Sequence, residues 1–177
     1  SWLADNQLLL GQFATEAKSN EITAIPQLLD LIDIKGAIVT IDAAGCQKAI
    51  AAQIHKQQAG YVLSLRDNHP TFHEEVLTYF EHEKTSATVH THETFDGGEH
   101  GRNETRRIYS TNDVSWFSEK KLWPGLKSFV LVESKRELND GTIECDKRTY
   151  ISSQDGRAPA ALGQLVRRHW SVENQLH

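Results

Sequence analysis

The sequence predicts an α/β fold: a sheet flanked by helices, with a β-rich segment inserted before the last helix. Three observations carry that expectation. In the first half, apolar residues switch between helical spacing and short β-branched runs, giving strand, helix, strand, helix, strand, helix. From residue 85 the pattern alternates and becomes rich in Thr and His, as in strands with one solvated face. From residue 159 the helical spacing returns. The alternation in the first half implies a mainly parallel sheet with right-handed crossovers.

The elements follow in order. QLLLGQFA (7–14) reads as a short strand. SNEITAIPQLLDLIDIKG (19–36) places Ile22, Ile25, Leu28, Leu29 and Ile32 at helical spacing, with Ser19 or Asn20 as N-cap and Gly36 as terminator. AIVTID (37–42) is apolar on both faces, as buried parallel strands are. AGCQKAIAAQIHKQQAG (44–60) is a helix rich in Ala and Gln, and YVLSLR (61–66) a second buried strand. HPTFHEEVLTYFEHEK (69–84) is amphipathic, with Phe72, Val76, Leu77, Tyr79 and Phe80 as its apolar residues. TSATVHTHETF (85–95) and NETRRIYSTND (103–113) read as strands around a loop. FVLVESKREL (129–138) and TIECDKRTYISS (142–153) form a hairpin, because Asn-Asp-Gly (139–141) tolerates positive φ. PAALGQLVRRHWSVENQLH (159–177) is the closing helix.

At 177 residues, 38% hydrophobic and 24% charged, the chain suits one globular domain, residues 1–177, with 85–158 as a β-rich insertion. No apolar run approaches the length of a bilayer span. Two cysteines make no disulfide framework, so a cytoplasmic location is expected. The net charge of -5 does not advertise a nucleic-acid binder, although local basic patches decide phosphate contact. The chain holds no Met and ends abruptly on NQLH, which suggests a piece truncated at both ends.

Two carboxylates stand out. Asp42 ends the apolar run in VTIDAAGCQ (39–47), where it either caps the following helix or faces a ligand at a strand's C-terminal end. Glu173, in HWSVEN (169–174), shares a helix face with Trp170 and His177; alone, it would be a solvated helix carboxylate. Together, a strand-end Asp and a late-helix Glu are what a two-metal phosphoryl-transfer site needs.

Weaker constellations compete. His169 and Glu173 have a zinc-chelating spacing, but the nine histidines form no CxxC or HExxH set. His90 and His92 fit a surface strand. Cys46 has no evident base and reads as a buried thiol. Basic residues cluster as Arg102, Arg106 and Arg107, as Lys147 and Arg148, and as Arg167 and Arg168. They form either a mixed surface or a phosphate-contacting one.

VTIDAAGCQ, YVLSLRDNH, EHGRNETRR, WPGLKSFVLVES, RTYISS and RRHWSVENQLH come in the order and spacing of insertion-sequence transposases of the H-repeat-associated type. The resemblance covers essentially the whole chain. It implies a DDE transposase with a ribonuclease H-like mixed sheet. By that resemblance Asp42 is the second catalytic Asp and Glu173 the catalytic Glu, and both ligate Mg²⁺ or Mn²⁺. Arg167, Trp170 and Asn174 belong to the signature around Glu173; with Arg66, Asn68, Arg102 and Arg106 they are expected to meet DNA. The implied reaction is metal-assisted cleavage of a DNA phosphodiester at element ends, then attack of the freed 3′-hydroxyl on target DNA.

Two departures accompany it. No IDGK-type motif carrying the first catalytic Asp is present, and Asp5 is no substitute, so the chain is expected not to cleave DNA alone. Where the family has lysine-glycine-asparagine-glutamine, this chain has Arg66-Asp67-Asn68-His69; Asp67 either weakens DNA contact or is neutral in a loop. Without the family's first, central strand, an open sheet edge is expected to drive a homodimer or strand-swapped assembly. The competing expectations are a catalytically dead transposase-derived domain that binds DNA or itself, and an unrelated α/β hydrolase or nuclease.

Overall fold

A computed structural model describes residues 2–3, 8–9, 21–97, 103–138 and 140–175. Strands β1 (Trp2–Leu3) and β2 (Leu8–Leu9) pair as a small antiparallel ladder. The rest of the expected 7–14 strand lies outside the described residues. Next come α1 (Glu21–Leu31), β3 (Ile38–Ile41), α2 (Lys48–Lys56), β4 (Gly60–Leu65) and α3 (Pro70–Glu83). They are followed by β5 (Val89–Gly97), β6 (Asn103–Thr111), β7 (Ser128–Glu137), β8 (Ile143–Ser152) and α4 (Pro159–Gln175).

Six strands form one sheet in the order β3-β4-β8-β7-β6-β5. The α/β class with a mixed sheet and flanking helices stands, but the mainly parallel sheet does not. Only β3 and β4 run parallel; β4–β8, β8–β7, β7–β6 and β6–β5 are all antiparallel. The cause is the hairpin. Its turn closes through Leu138 N–H to Thr142 O and Gly141 N–H to Leu138 O, both 2.9 Å, with Gly141 at φ 81°. Strands joined by so short a turn can only pair antiparallel, and β8 then occupies the flank of β4 that another parallel strand would need. A second correction concerns AIVTID. Among the described strands β3 is an edge, paired to β4 alone, and Ile38 is 40% exposed.

Strand alternation separates two cores. Tyr61, Leu63, Leu65, Phe129, Leu131 and Ile151 face α1, α2 and α3, which contribute Leu29, Ile50, Ile54, Phe72, Val76 and Phe80. Val62, Ile108, Val130, Val132 and Tyr150 face the other way, against Leu162 and Val166 of α4. The first core also takes Val114, Phe117, Trp123 and Leu126 from the irregular connection before β7. Phe117 stacks on Phe72 with centroids 3.9 Å apart and planes 6° from parallel. Each such aromatic, fully buried, contributes about 1.5–3 kcal/mol.

The β8–α4 connection sets where the last helix starts. Gly156 N–H donates to Asn112 Oδ1 (2.6 Å), and Ser110 Oγ donates to Gly156 O (2.6 Å). A Cβ on Gly156 would lie 2.6 Å from the Thr111 carbonyl carbon, a backbone atom that cannot swing aside. Gly156→Ala is therefore expected to cost about 1–3 kcal/mol, read as a lower urea midpoint at unchanged slope.

Candidate nucleic-acid and metal site

Asp42 follows β3 directly and opens a loop that folds back on itself. Gly45 N–H donates to Asp42 Oδ1 (3.3 Å), Cys46 N–H to Ala43 O (3.2 Å) and Gln47 N–H to Gly45 O (2.9 Å). The N-cap of α2 is Gln47, so the capping alternative for Asp42 falls away. Asp42 is exposed, with one oxygen committed to the loop.

The loop is tied to the β4–α3 connection through one acceptor. Cys46 O receives Asn68 Nδ2 (3.1 Å) and His69 Nε2 (2.8 Å), while Asn68 Oδ1 accepts Arg66 N–H (3.3 Å). A carbonyl can only accept, so His69 carries its proton on Nε2. Asn68 thus braces two loops with the atoms expected to meet DNA. The Cys46 thiol is fully buried, and burial pushes its pKa up to about 12, the opposite of what a nucleophile needs.

Helix α4 crosses the opposite face of the sheet from α1–α3 and packs beside β3, β5, β6 and β7. Leu162, Val166, His169 and Trp170 recur at helical spacing along it, and position 173 continues that stripe one turn on. A cavity of about 210 Å³ lies where this stripe passes the strand ends; Asp42, Ser64, Arg66, Arg148, His169 and Trp170 line it. The structure thus brings together Asp42, Arg66 and Trp170, widely separated in sequence. Glu173 and Asn174 lie on α4, and their side chains are outside the described residues, as is Arg102.

Arg106 and Arg167 go elsewhere. With His92, Ile108, Val166 and Trp170 they line a neighbouring cavity of about 200 Å³. Arg106 grips Glu104 through Nε (3.0 Å) and Nη2 (2.7 Å), and Arg167 pairs with Asp96 (3.1 Å). Trp170 stands between the two cavities. Arg148, which the sequence marks only as half of a basic pair with Lys147, lies with its guanidinium carbon 3.6 Å from the centre of the Trp170 ring. Its Nε donates to Asp146 Oδ2 (2.6 Å). Its place beside Trp170 has only parity as a sequence signal: Asp146, Arg148 and Tyr150 alternate on one face of β8, but which face meets α4 depends on pairing register.

A divalent cation needs several hard oxygen donors. Asp42 has the right chemistry, with an exposed carboxylate at a strand end. Among the described residues, however, no group of three His, Cys, Asp or Glu side chains gathers to hold a metal. The described donor set fits Mg²⁺ in kind and falls short in number. None of the described helices is long and apolar enough to cross a membrane.

The sequence profile of the Transposase DDE domain family matches residues 3–177. The chain belongs to that family. It is 40% identical over 98% of its length to the candidate transposase YncI of Escherichia coli O157:H7, covering 45% of that protein. It is 36% identical over 97% of its length to the H repeat-associated candidate transposase YhhI of Escherichia coli K12, covering 46%. An uncharacterized protein from the dhlA 3′ region of Xanthobacter autotrophicus is 44% identical over 86% of this chain and 51% of its own length. This DDE-domain chain therefore spans about half the length of the curated relatives it matches.

The two cysteines give a direct check on the packing of the Asp42 loop. Cys145 is exposed and Cys46 is buried. Native protein at pH 8 is expected to titrate one thiol with a chromogenic disulfide, and two after denaturation. Between pH 9.0 and about 12 the unfolded Cys46 thiol ionises while the folded one stays protonated. The folded state then holds more protons, so stability falls as pH rises through that window, which urea melts at stepped pH will show.

Proposed function

We propose that this chain is the part of a DNA transposase that supplies two carboxylates of a metal-dependent DNA-cutting site. Asp42 and Glu173 would hold Mg²⁺ or Mn²⁺. A cation held there would supply charge stabilisation to the attacking and leaving oxygens of an in-line displacement at phosphorus. One observation carries the reading: the strand-end carboxylate Asp42 shares a cavity with two arginines and with the α4 turn that precedes Glu173.

The chain's own residues then have separate tasks. Arg66 faces the cavity and would take phosphate oxygens. Arg66 alone of the four arginines lining the two cavities has no carboxylate partner among the described residues, so its charge is the most available. Trp170 offers a ring to a base or sugar. Arg102, Arg106, Arg167 and Asn174 would extend the DNA-contacting face along β6 and α4, and Asn68 would act by holding the Arg66 loop. Water would displace the 3′-oxygen at an element end, leaving a 3′-hydroxyl and a 5′-phosphate; that hydroxyl would then attack a target phosphodiester, forming the joining bond and expelling a target 3′-hydroxyl. With two such carboxylates the chain alone binds DNA and does not cleave it. Residues 85–158 would be an insertion within the catalytic domain.

A second reading draws on the outer edge of β3. Among the described strands nothing pairs with it, and Ile38 is exposed there. A catalytically inactive domain that associates with itself, as a homodimer or strand-swapped pair, would use that edge. Light scattering across a concentration series, with Thr40→Pro to block an amide on the free edge, reads this directly.

The test of the first reading is Mn²⁺ binding followed by electron paramagnetic resonance. Asp42→Asn and Glu173→Gln are each expected to weaken binding at least tenfold, as loss of one of two carboxylate ligands should. Unchanged Mn²⁺ binding in both variants would sink the metal site.

A further inference from the structure

We propose that Arg148 is a positioning residue: clamped between Asp146 and the Trp170 ring, it fixes the α4 turn that carries Glu173 relative to the Asp42 loop. The metal consequence rests on the reading above; the clamp itself does not.

Three observations build it. Arg148 emerges from β8 on the face that α4 covers, between Asp146 and Tyr150 at the same parity. Its Nε is held by Asp146 at 2.6 Å, which leaves the guanidinium plane free to lie on an aromatic face. The guanidinium carbon sits 3.6 Å from the Trp170 ring centre, well inside cation–π range. Arg148 also lines the Asp42 cavity, so the clamp stands inside the candidate site.

The helix needs such a contact at this point. Leu162 and Val166 are buried against Val62, Ile108, Val130 and Val132, whereas Trp170 is only partly buried at the end of that core. Trp170 is the last residue of α4 whose side chain is described, and Glu173 lies three residues further along the helix. A hold on Trp170 therefore decides how closely the next turn follows the sheet. Lysine could place a charge over the ring but could not keep both the Asp146 bond and the stacked plane, so it should restore the clamp in part.

Amide hydrogen exchange on the full chain tests the clamp. Arg148→Ala is expected to speed exchange across 169–175 by about fivefold, the size of one cation–π contact, and to leave 159–166 unchanged. Arg148→Lys should recover part of that protection. Adding Arg148→Ala to Trp170→Ala should change nothing further, since both remove the same contact. Unchanged exchange over 169–175 in Arg148→Ala, or additive effects in the double variant, would overturn the proposal.

Mn²⁺ affinity then separates positioning from simple charge. Removing a cation beside Asp42 should tighten Mn²⁺ binding if Arg148 acts only through its charge. Loss of a positioning contact should weaken it by about the same fivefold. Weaker binding supports the clamp and tighter binding overturns its link to the metal. If Asp42→Asn leaves Mn²⁺ binding unaltered, the metal reading fails, and hydrogen exchange alone decides the clamp.

Discussion

Strand β4 is the constraint on which the site depends. It runs parallel to β3 on one side and antiparallel to β8 on the other, and five of its six residues are buried. Its register with β3 sets Ile41 against Leu63, which brings Asp42 past the strand end. Its register with β8 sets Leu65 against Thr149, which brings Arg148 to the same end. A slip of one residue on either side would send Asp42 or Arg148 to the opposite face. The apolar alternation of Tyr61, Leu63 and Leu65 against Val62 forbids that slip, because it would drive buried side chains into the wrong layer.

The two faces of the sheet are unequally covered, and the cavities follow from that inequality. Three helices and an aromatic-rich connection fill one side, where Phe72, Phe117, Trp123 and Phe129 meet ring to ring. Among the described residues α4 alone crosses the other side, and one helix about 10–12 Å wide cannot seal a six-stranded sheet. Space remains on both sides of Trp170, and charged strand residues line it. Buried aromatic packing is concentrated on one face of the sheet, and the cavity beside Asp42 lies on the other.

Much of this could be read in the sequence where one period ran for several turns or strands. Helices α3 and α4, the β7–β8 hairpin and strand β4 fall where apolar spacing places them. The parallel character of the sheet was misjudged because local spacing identifies strands without saying which neighbour each will take. The connection before β7 escaped for a different reason: Val114, Phe117, Trp123 and Leu126 are buried on irregular backbone, which has no period to detect. At the site, Asp42 and the α4 signature stood out by motif. Arg148 did not, since its position depends on register and on Trp170, 22 places away in sequence. The tie that the Asn68 amide makes to backbone atoms of both loops is likewise invisible in sequence order.

The tie between the Asp42 loop and the β4–α3 connection is anchored on a main-chain oxygen, that of Cys46. Every residue type at position 46 presents the same oxygen, so mutation there cannot delete the acceptor. Mutational pressure falls instead on the two donors, Asn68 and His69, and on the volume that the enclosed Cys46 side chain fills. A small apolar replacement at 46 keeps the tie, whereas loss of the Asn68 amide frees the Arg66 N–H and leaves the Cys46 oxygen to His69 alone. The geometry around Asp42 is thus safeguarded by residues more than twenty places away along the chain.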